Sequence, residues 1–153
     1  MDEADLRILA ALQRDARLSV AELAEHVSLS PSACHRRVKL LEQSGAIAGY
    51  GARIDRDAVG LSLDVFVEIT LREQTEAAML GFEAAVRLCE DILECHLTTG
   101  DADYALRVAA RDMEDFERIH RTRLARLPGV SRMRTSFALR AVKSWSGLPV
   151  RRR

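Results

Sequence analysis

Two helix-start signals only eleven residues apart constrain this chain more than any other feature. Ser19 followed by Glu22 makes a capping box, in which the hydroxyl and the carboxylate each satisfy an orphan backbone N–H. Leu18 before that cap and Leu23 inside the helix can close a hydrophobic staple. Ser30 is a second N-cap, and Pro31 takes the first helical position, where its missing N–H costs nothing. The first of these helices must therefore end by about His26, with Val27-Ser28-Leu29 left as the connection. The second runs through Lys39 and Leu41 to about Ser44, and Gly45 stands where a left-handed C-cap residue belongs. Two helices joined by three residues form a helix-turn-helix. A preceding helix, capped by Asp2 with Asp5 three residues on, carries Leu6, Ile8, Leu9 and Leu12 at helical spacing and ends at Asp15-Ala16-Arg17.

The faces of the pair divide cleanly. Leu23, Ala24, Val27, Leu29, Cys34, Val38 and Leu41 supply the apolar side, with the small Ala24 allowing the helices to approach. The opposite stripe of the last helix holds Ser32, His35, Arg36 and Lys39, hydrogen-bonding and cationic groups suited to base edges in a major groove. Arg37 at its margin, Ser30 and the helix N-terminus are placed for phosphate. On a lone helix such a stripe is ordinarily the solvated side; the caps, the three-residue turn and the small residue at the crossing favour DNA here. Lys plus Arg and Asp plus Glu each number 23, so the net charge is zero and any basic patch has to be local. Ser28 occupies the turn position where glycine is commonest, which predicts a strained or altered turn.

Downstream the period changes from 3.6 to 2. Gly49, Gly51 and Gly60 bound an extended hinge over residues 49–61. Leu63, Val65, Val67, Ile69 and Leu71 then alternate with Asp64, Glu68 and Thr70, a half-buried strand whose polar face also carries Phe66. Met79, Phe82, Val86 and Cys89 share one helical face. Leu93, Cys95 and Leu97, then Tyr104, Leu106 and Val108, read as a hairpin around Gly100-Asp101. Met113, Phe116, Ile119, Leu124 and Leu127 mark a second helix stopped by Pro128-Gly129, and a last strand runs from Val130 to about Val142. The order is strand-helix-strand-strand-helix-strand, a ferredoxin-like βαββαβ sandwich. The chain is thus an α+β protein: a winged-helix-like helix-turn-helix domain over 1–48, the hinge, and a second domain over 62–153. One sheet face has no helix of its own chain to cover it, and the exposed Phe66 there predicts a two-fold pairing with another copy.

Several function classes are excluded or weakened. Cys34, Cys89 and Cys95 form no Cys-x-x-Cys pair and no zinc spacing, and read as small buried hydrophobes. No metal motif, phosphate loop or cofactor fingerprint has convincing context, and no catalytic constellation is visible. No apolar run approaches the roughly 20 residues that cross a bilayer, and the acidic opening is unlike a secretory signal, so a cytoplasmic location is expected. The closing Arg151-Arg152-Arg153 reads as a frayed, solvated tail more than as a phosphate contact.

Four stretches, Asp5 to Arg17 (DLRILAALQRDAR), Leu29 to Tyr50 (LSPSACHRRVKLLEQSGAIAGY), Glu94 to Tyr104 (ECHLTTGDADY) and Leu127 to Val142 (LPGVSRMRTSFALRAV), together resemble the Lrp/AsnC family of leucine-responsive, feast/famine regulators. The ending SFALRAVKSWSGLPV resembles the branch that contains regulators of branched-chain amino-acid breakdown. The resemblance implies a transcriptional regulator with a DNA-binding head, an amino-acid-sensing C-terminal domain, and dimers that associate further, commonly to octamers, with the effector between dimers. It also implies that Gly100-Asp101-Ala102-Asp103-Tyr104 helps line the effector pocket. Chemically the loop suits a zwitterion: backbone N–H groups near the glycine can hold an α-carboxylate, and Asp101 or Asp103 an α-ammonium. Thr98, Thr99, Thr135 and Ser136 are further polar candidates. A Gly-Asp pair that simply makes a hairpin turn is the competing reading. So are a decarboxylase of sirohaem type on the same architecture, using His96 and His120, and a sensing module with a vestigial DNA-binding head.

Overall fold

The protein is described by a computed structural model covering residues 1–150; the terminal arginine run read above as a solvated tail lies outside the described residues. The chain divides into two compact units, residues 1–53 with 142–150, and residues 54–141.

The first unit is built on three capped helices. In α1 (Glu3–Arg14) the Asp2 carboxylate accepts from the Asp5 N–H while the Asp5 carboxylate accepts from the Asp2 N–H, a reciprocal box. In α2 (Val20–Val27) Ser19 and Glu22 do the same. In α3 (Pro31–Gln43) the Ser30 Oγ accepts from the Ala33 N–H. Ile8, Leu23, Ala24, Val27, Cys34 and Leu41 meet as the buried core, so one face of each helix is spent on the other two. Ser28 ends α2 at φ 55°, ψ 50°, with its N–H on the Ala24 and Glu25 carbonyls. It is the one non-glycine residue at positive φ among those described. A left-handed conformation in a residue with a Cβ costs about 1–2 kcal/mol, so the turn is strained as its composition predicts. The head carries no strand among its described residues.

The second unit is a four-stranded antiparallel sheet in the order β2-β3-β1-β4, with strands β1 (Leu63–Leu71), β2 (Ile92–Leu97), β3 (Tyr104–Ala110) and β4 (Val130–Phe137). Two helices, α4 (Glu76–Arg87) and α5 (Met113–Thr122), cover one face, completing the expected βαββαβ sandwich. Val65, Val67, Ile69 and Leu71 all point into that layer, against Phe82 and Val86 of α4 and Phe116 and Ile119 of α5. The Phe82 and Tyr104 rings lie 4.6 Å apart, and Phe116 meets Phe137 edge-on at 5.2 Å. Burying each such side chain contributes about 1.5–3 kcal/mol.

Five details depart from the sequence reading. A bulge between Ile92 and Glu94 shifts the phase of β2, so Ile92 packs on the core and Leu93 is exposed. Met113 opens α5 on its outer side and is exposed, although it falls in the helical repeat. β4 stops at Phe137 and not near Val142, because its last bond, Ala138 N–H to the Asp64 carbonyl, is made where β1 itself begins. Residues 142–150 pack with the first unit, where the sequence reading runs the second domain over 62–153. The hinge, too, is partly folded: Asp57–Val59 is a 3-10 turn closed by Gly60 at φ 72°, and the Arg56 guanidinium binds the Leu61 and Leu63 carbonyls. No helix among the described residues is long and apolar enough to cross a membrane.

Candidate DNA interface and effector loop

The α3 helix presents Ser32, His35, Arg36 and Lys39 to solvent, with Cys34 and Leu41 buried beneath and Val38 partly so. Neither Arg36 nor Lys39 forms an ion pair among the described residues, so both cations are available to an external acceptor. Ser30 spends its hydroxyl on the cap and touches the Ser32 hydroxyl at 3.3 Å. Arg37 requires a correction. Its guanidinium reaches back to α1, 2.8 Å from the Asp2 carboxylate and 2.8 Å from that of Asp5. The two carboxylates hold it charged, and the same contact keeps the Asp2 carboxyl below its ordinary range after the larger effect of the Asp5 N–H. Both acids meet the same nitrogen, Nη1, so Arg37 fastens α3 to α1 through one arm of its guanidinium. Sequence reasoning placed it on the helix but had no means of seeing that the acidic N-terminus folds beneath it.

In the second unit the predicted effector residues separate into three groups. Asp103 is a brace: one carboxylate oxygen accepts from the buried Leu71 N–H at 2.7 Å and the other from Gln74 Nε2 at 2.7 Å. Its own N–H goes to the Ile69 carbonyl, and its carbonyl accepts from the Thr98 N–H. Tyr104 turns into the core, 1 % exposed, with its hydroxyl donating to Glu83 Oε1 at 3.0 Å. Burial, followed by the Glu83 carboxylate, pushes the Tyr104 phenol up to about 12. Both side chains are thus engaged within the fold. Thr98 is partly committed, its hydroxyl closing the loop on the Ala102 carbonyl at 2.9 Å. Thr99, Gly100 and Asp101 remain exposed at the tip, Gly100 at φ 122°, and the amides from Thr99 to Ala102 make none of the loop's own hydrogen bonds. Those free donors and the Asp101 carboxylate are the groups a zwitterion needs. Thr135 and Ser136 lie elsewhere. They pair with Val67 and Phe66 on β4, three strand spacings (about 14 Å) from β2. One chain does not bring them to the loop.

The helix-free face of the sheet is charged and ordered. Arg107 grips Asp64 at 2.8 Å and Glu94 at 3.1 Å, and Arg134 grips Glu68 at 2.6 Å. Arg107, with Arg56 behind it, holds the Asp64 carboxyl below the usual range. Between these pairs Phe66 stands half exposed beside Arg107 and Ser136. The sequence flagged Phe66, but the pairing partners are set by strand register, which it does not state. His96 sits on this face and His120 packs near Phe116 on the helix side, so the two histidines share no cleft within the sheet.

Comparison with known proteins follows the same division. Residues 1–48 match the model of a winged helix-turn-helix DNA-binding domain, and residues 64–148 that of the Lrp/AsnC ligand-binding domain. The leucine-responsive regulatory protein of Salmonella typhimurium is 41 % identical over 153 residues, 100 % of this chain and 93 % of that protein. An HTH-type transcriptional regulator of Sinorhizobium fredii is 50 % identical over 116 residues, 76 % of this chain and 91 % of its own. Among solved structures, a transcriptional regulator of Neisseria meningitidis in complex with L-Met superposes with a TM-score of 0.93 at 36 % identity, covering 98 % of this chain and 97 % of that one. An AsnC family regulator of Agrobacterium tumefaciens gives 0.94 at 31 % identity with the same coverage. The relatives are named regulators, and the decarboxylase reading gives way to them. A DNA-binding head followed by a ligand-binding sandwich, matched in both sequence and fold along the whole chain, places this protein in the Lrp/AsnC family of transcriptional regulators.

Proposed function

We propose that this regulator reads a specific pseudo-palindromic DNA site through α3, and that a free amino acid at the 98–101 loop modulates its assembly or its DNA binding. The observation that carries the DNA half is the pair of unpaired cations, Arg36 and Lys39, flanked by His35 and Ser32 on the open face of a fully capped helix. Arg36 is suited to a bidentate guanine contact, which is worth about 1–3 kcal/mol. The rest of the affinity comes from phosphate contacts and falls with salt as counterions are released. Gel shift against the chain's own upstream region, with a His35/Arg36/Lys39 triple alanine variant as control, tests this. Unchanged affinity in the variant overturns the assignment.

The effector half rests on the free loop amides beside Asp101, and is supported by a leucine-responsive relative and by the L-Met complex of a structural neighbour. An aliphatic amino acid is the proposed class. Thr99, Gly100 and Asp101 contact it, Thr98, Asp103 and Tyr104 hold the loop in shape, and selectivity for the side chain comes from a neighbouring subunit. The open sheet face around Phe66 pairs two copies, and family resemblance extends this to four dimers. Coupling between ligand and DNA through assembly is typically 1–3 kcal/mol. Calorimetry with the twenty amino acids, repeated on Asp101→Ala, is the test; no binding at millimolar concentration overturns the sensing role. Light scattering at micromolar protein tests the pairing, and a monomer there overturns it.

A further inference from the structure

The segment after β4 carries apolar side chains at every third position, Leu139, Val142, Trp145 and Leu148, and all four are exposed. It forms neither helix nor strand, so burial and regular ladders do not hold it. Residues 145–148 and 150 nevertheless form one wall of an open groove of about 750 Å³, whose other walls include Leu9, Leu12 and Gln13 of α1 and residues 46–53. The Gln13 carboxamide meets the Leu148 main chain twice. Its Oε1 accepts from the Leu148 N–H at 2.6 Å, and its Nε2 donates to the Leu148 carbonyl at 3.1 Å. A primary amide set this way satisfies both main-chain groups as a neighbouring strand would, whatever side chain follows. Arg53 adds a charge-assisted bond to the Trp145 carbonyl at 2.6 Å.

Gly147 bears on the same contact through its conformation. It holds φ +105°, and a Cβ there would stand 2.6 Å from Gln13 Oε1 and 3.1 Å from Gln13 Cδ. A side chain at 147 would be strained at this φ and would push the Gln13 amide off its two hydrogen bonds. We propose that the head carries a peptide site, formed by Gln13 and Arg53, whose occupant is the chain's own Trp145–Val150 segment, recognised through its main chain and requiring glycine at 147. A short flexible tether supplies an effective concentration in the millimolar range, so a free-peptide dissociation constant of about a millimolar or tighter keeps the site filled.

Trp145 is the single tryptophan of the chain. A chain ending at Lys143 has none, so the fluorescence anisotropy of an added Ser144–Val150 peptide reports docking without interference. A saturable rise is expected, with a dissociation constant of about a millimolar or below. Gly147→Ala in the peptide, or Gln13→Ala in the truncated chain, should weaken it at least about tenfold, as loss of a paired hydrogen bond commonly does. Circular dichroism confirms that each chain is folded. Equal binding of the Gly147→Ala peptide, or no saturation at several millimolar, overturns the proposal. Mixing full-length Gln13→Ala chains with chains ending at Lys143 should not immobilise Trp145; if it does, the segment crosses between copies and its assignment to its own chain is wrong.

Discussion

Replacing Asp103 by alanine separates a brace from a ligand group. In the structure its carboxylate accepts from the Leu71 N–H and from Gln74 Nε2, each at 2.7 Å. Leu71 is 4 % exposed, so its amide would lose its partner in a place that water reaches poorly, whereas Gln74 is exposed and can turn to solvent. A hydrogen bond to a charged group contributes about 1.5–3 kcal/mol, and stranding a buried donor costs a similar amount. The expected loss is therefore about 2 kcal/mol from the 54–141 unit. For a domain of that size this lowers the melting temperature by about 10 °C. Asp103→Asn retains one acceptor oxygen for the Leu71 amide and should lose about half as much. Thermal and urea melts at one fixed protein concentration measure this, because self-association makes the midpoint depend on concentration. Calorimetry with amino acids, run well below the variant's midpoint, is the second readout. A variant that melts within about 2 °C of the parent yet no longer binds amino acid would refute the reasoning, since the carboxylate would then serve the ligand and not the loop.

Arg37→Ala should lower the melting temperature of the head through loss of the Asp2 and Asp5 contacts, with no change in the salt slope of DNA binding; a slope reduced by about one would restore Arg37 to the phosphate contacts. The Asp115 carboxylate, in the first turn of α5, accepts from the Arg111 N–H and from the Arg111 and Arg118 guanidiniums, which hold it well below its ordinary range. Its contribution is present above the unfolded value near 4 and disappears as pH falls below it, so Asp115→Asn should flatten the acid limb of a stability profile; an unaltered limb counts against it. Tyr104 titrates at about 12 in the folded chain, above the unfolded value near 10. The stability tied to its neutral phenol is complete below pH about 10 and lost as pH rises toward 12, so alkaline melts of Tyr104→Phe should fall less steeply than those of the parent.

The head was legible because its signals are local. Asp2, Ser19 and Ser30 each satisfy amides within three residues, and the spacing between caps leaves no room for any other connection. The strained Ser28 turn was equally visible, since a residue with a Cβ stands where the geometry demands positive φ. In the second unit the alternation from Val65 to Leu71 named the core strand, because side chains on a strand repeat with period two and one face must be buried. What the one-dimensional pattern could not carry was partnership at long range. Nothing near Arg37 in the sequence announces that Asp2 and Asp5, more than thirty residues earlier, will claim its charge. Asp103 looks like a ligand group until strand pairing lays it against Leu71, and Tyr104 until its hydroxyl finds Glu83. Thr135 and Ser136 read as neighbours of the loop until the order β2-β3-β1-β4 sets them on the opposite edge. The bulge at Ile92 and the return of the last residues to Gln13 belong to the same class. Caps, turns and periodicity are properties of a few consecutive residues, so the sequence determined the elements, their order and the exposed stripe of α3. Which charge is spent within the fold and which is left for a ligand depends on distances across it, and only the packed chain decided that.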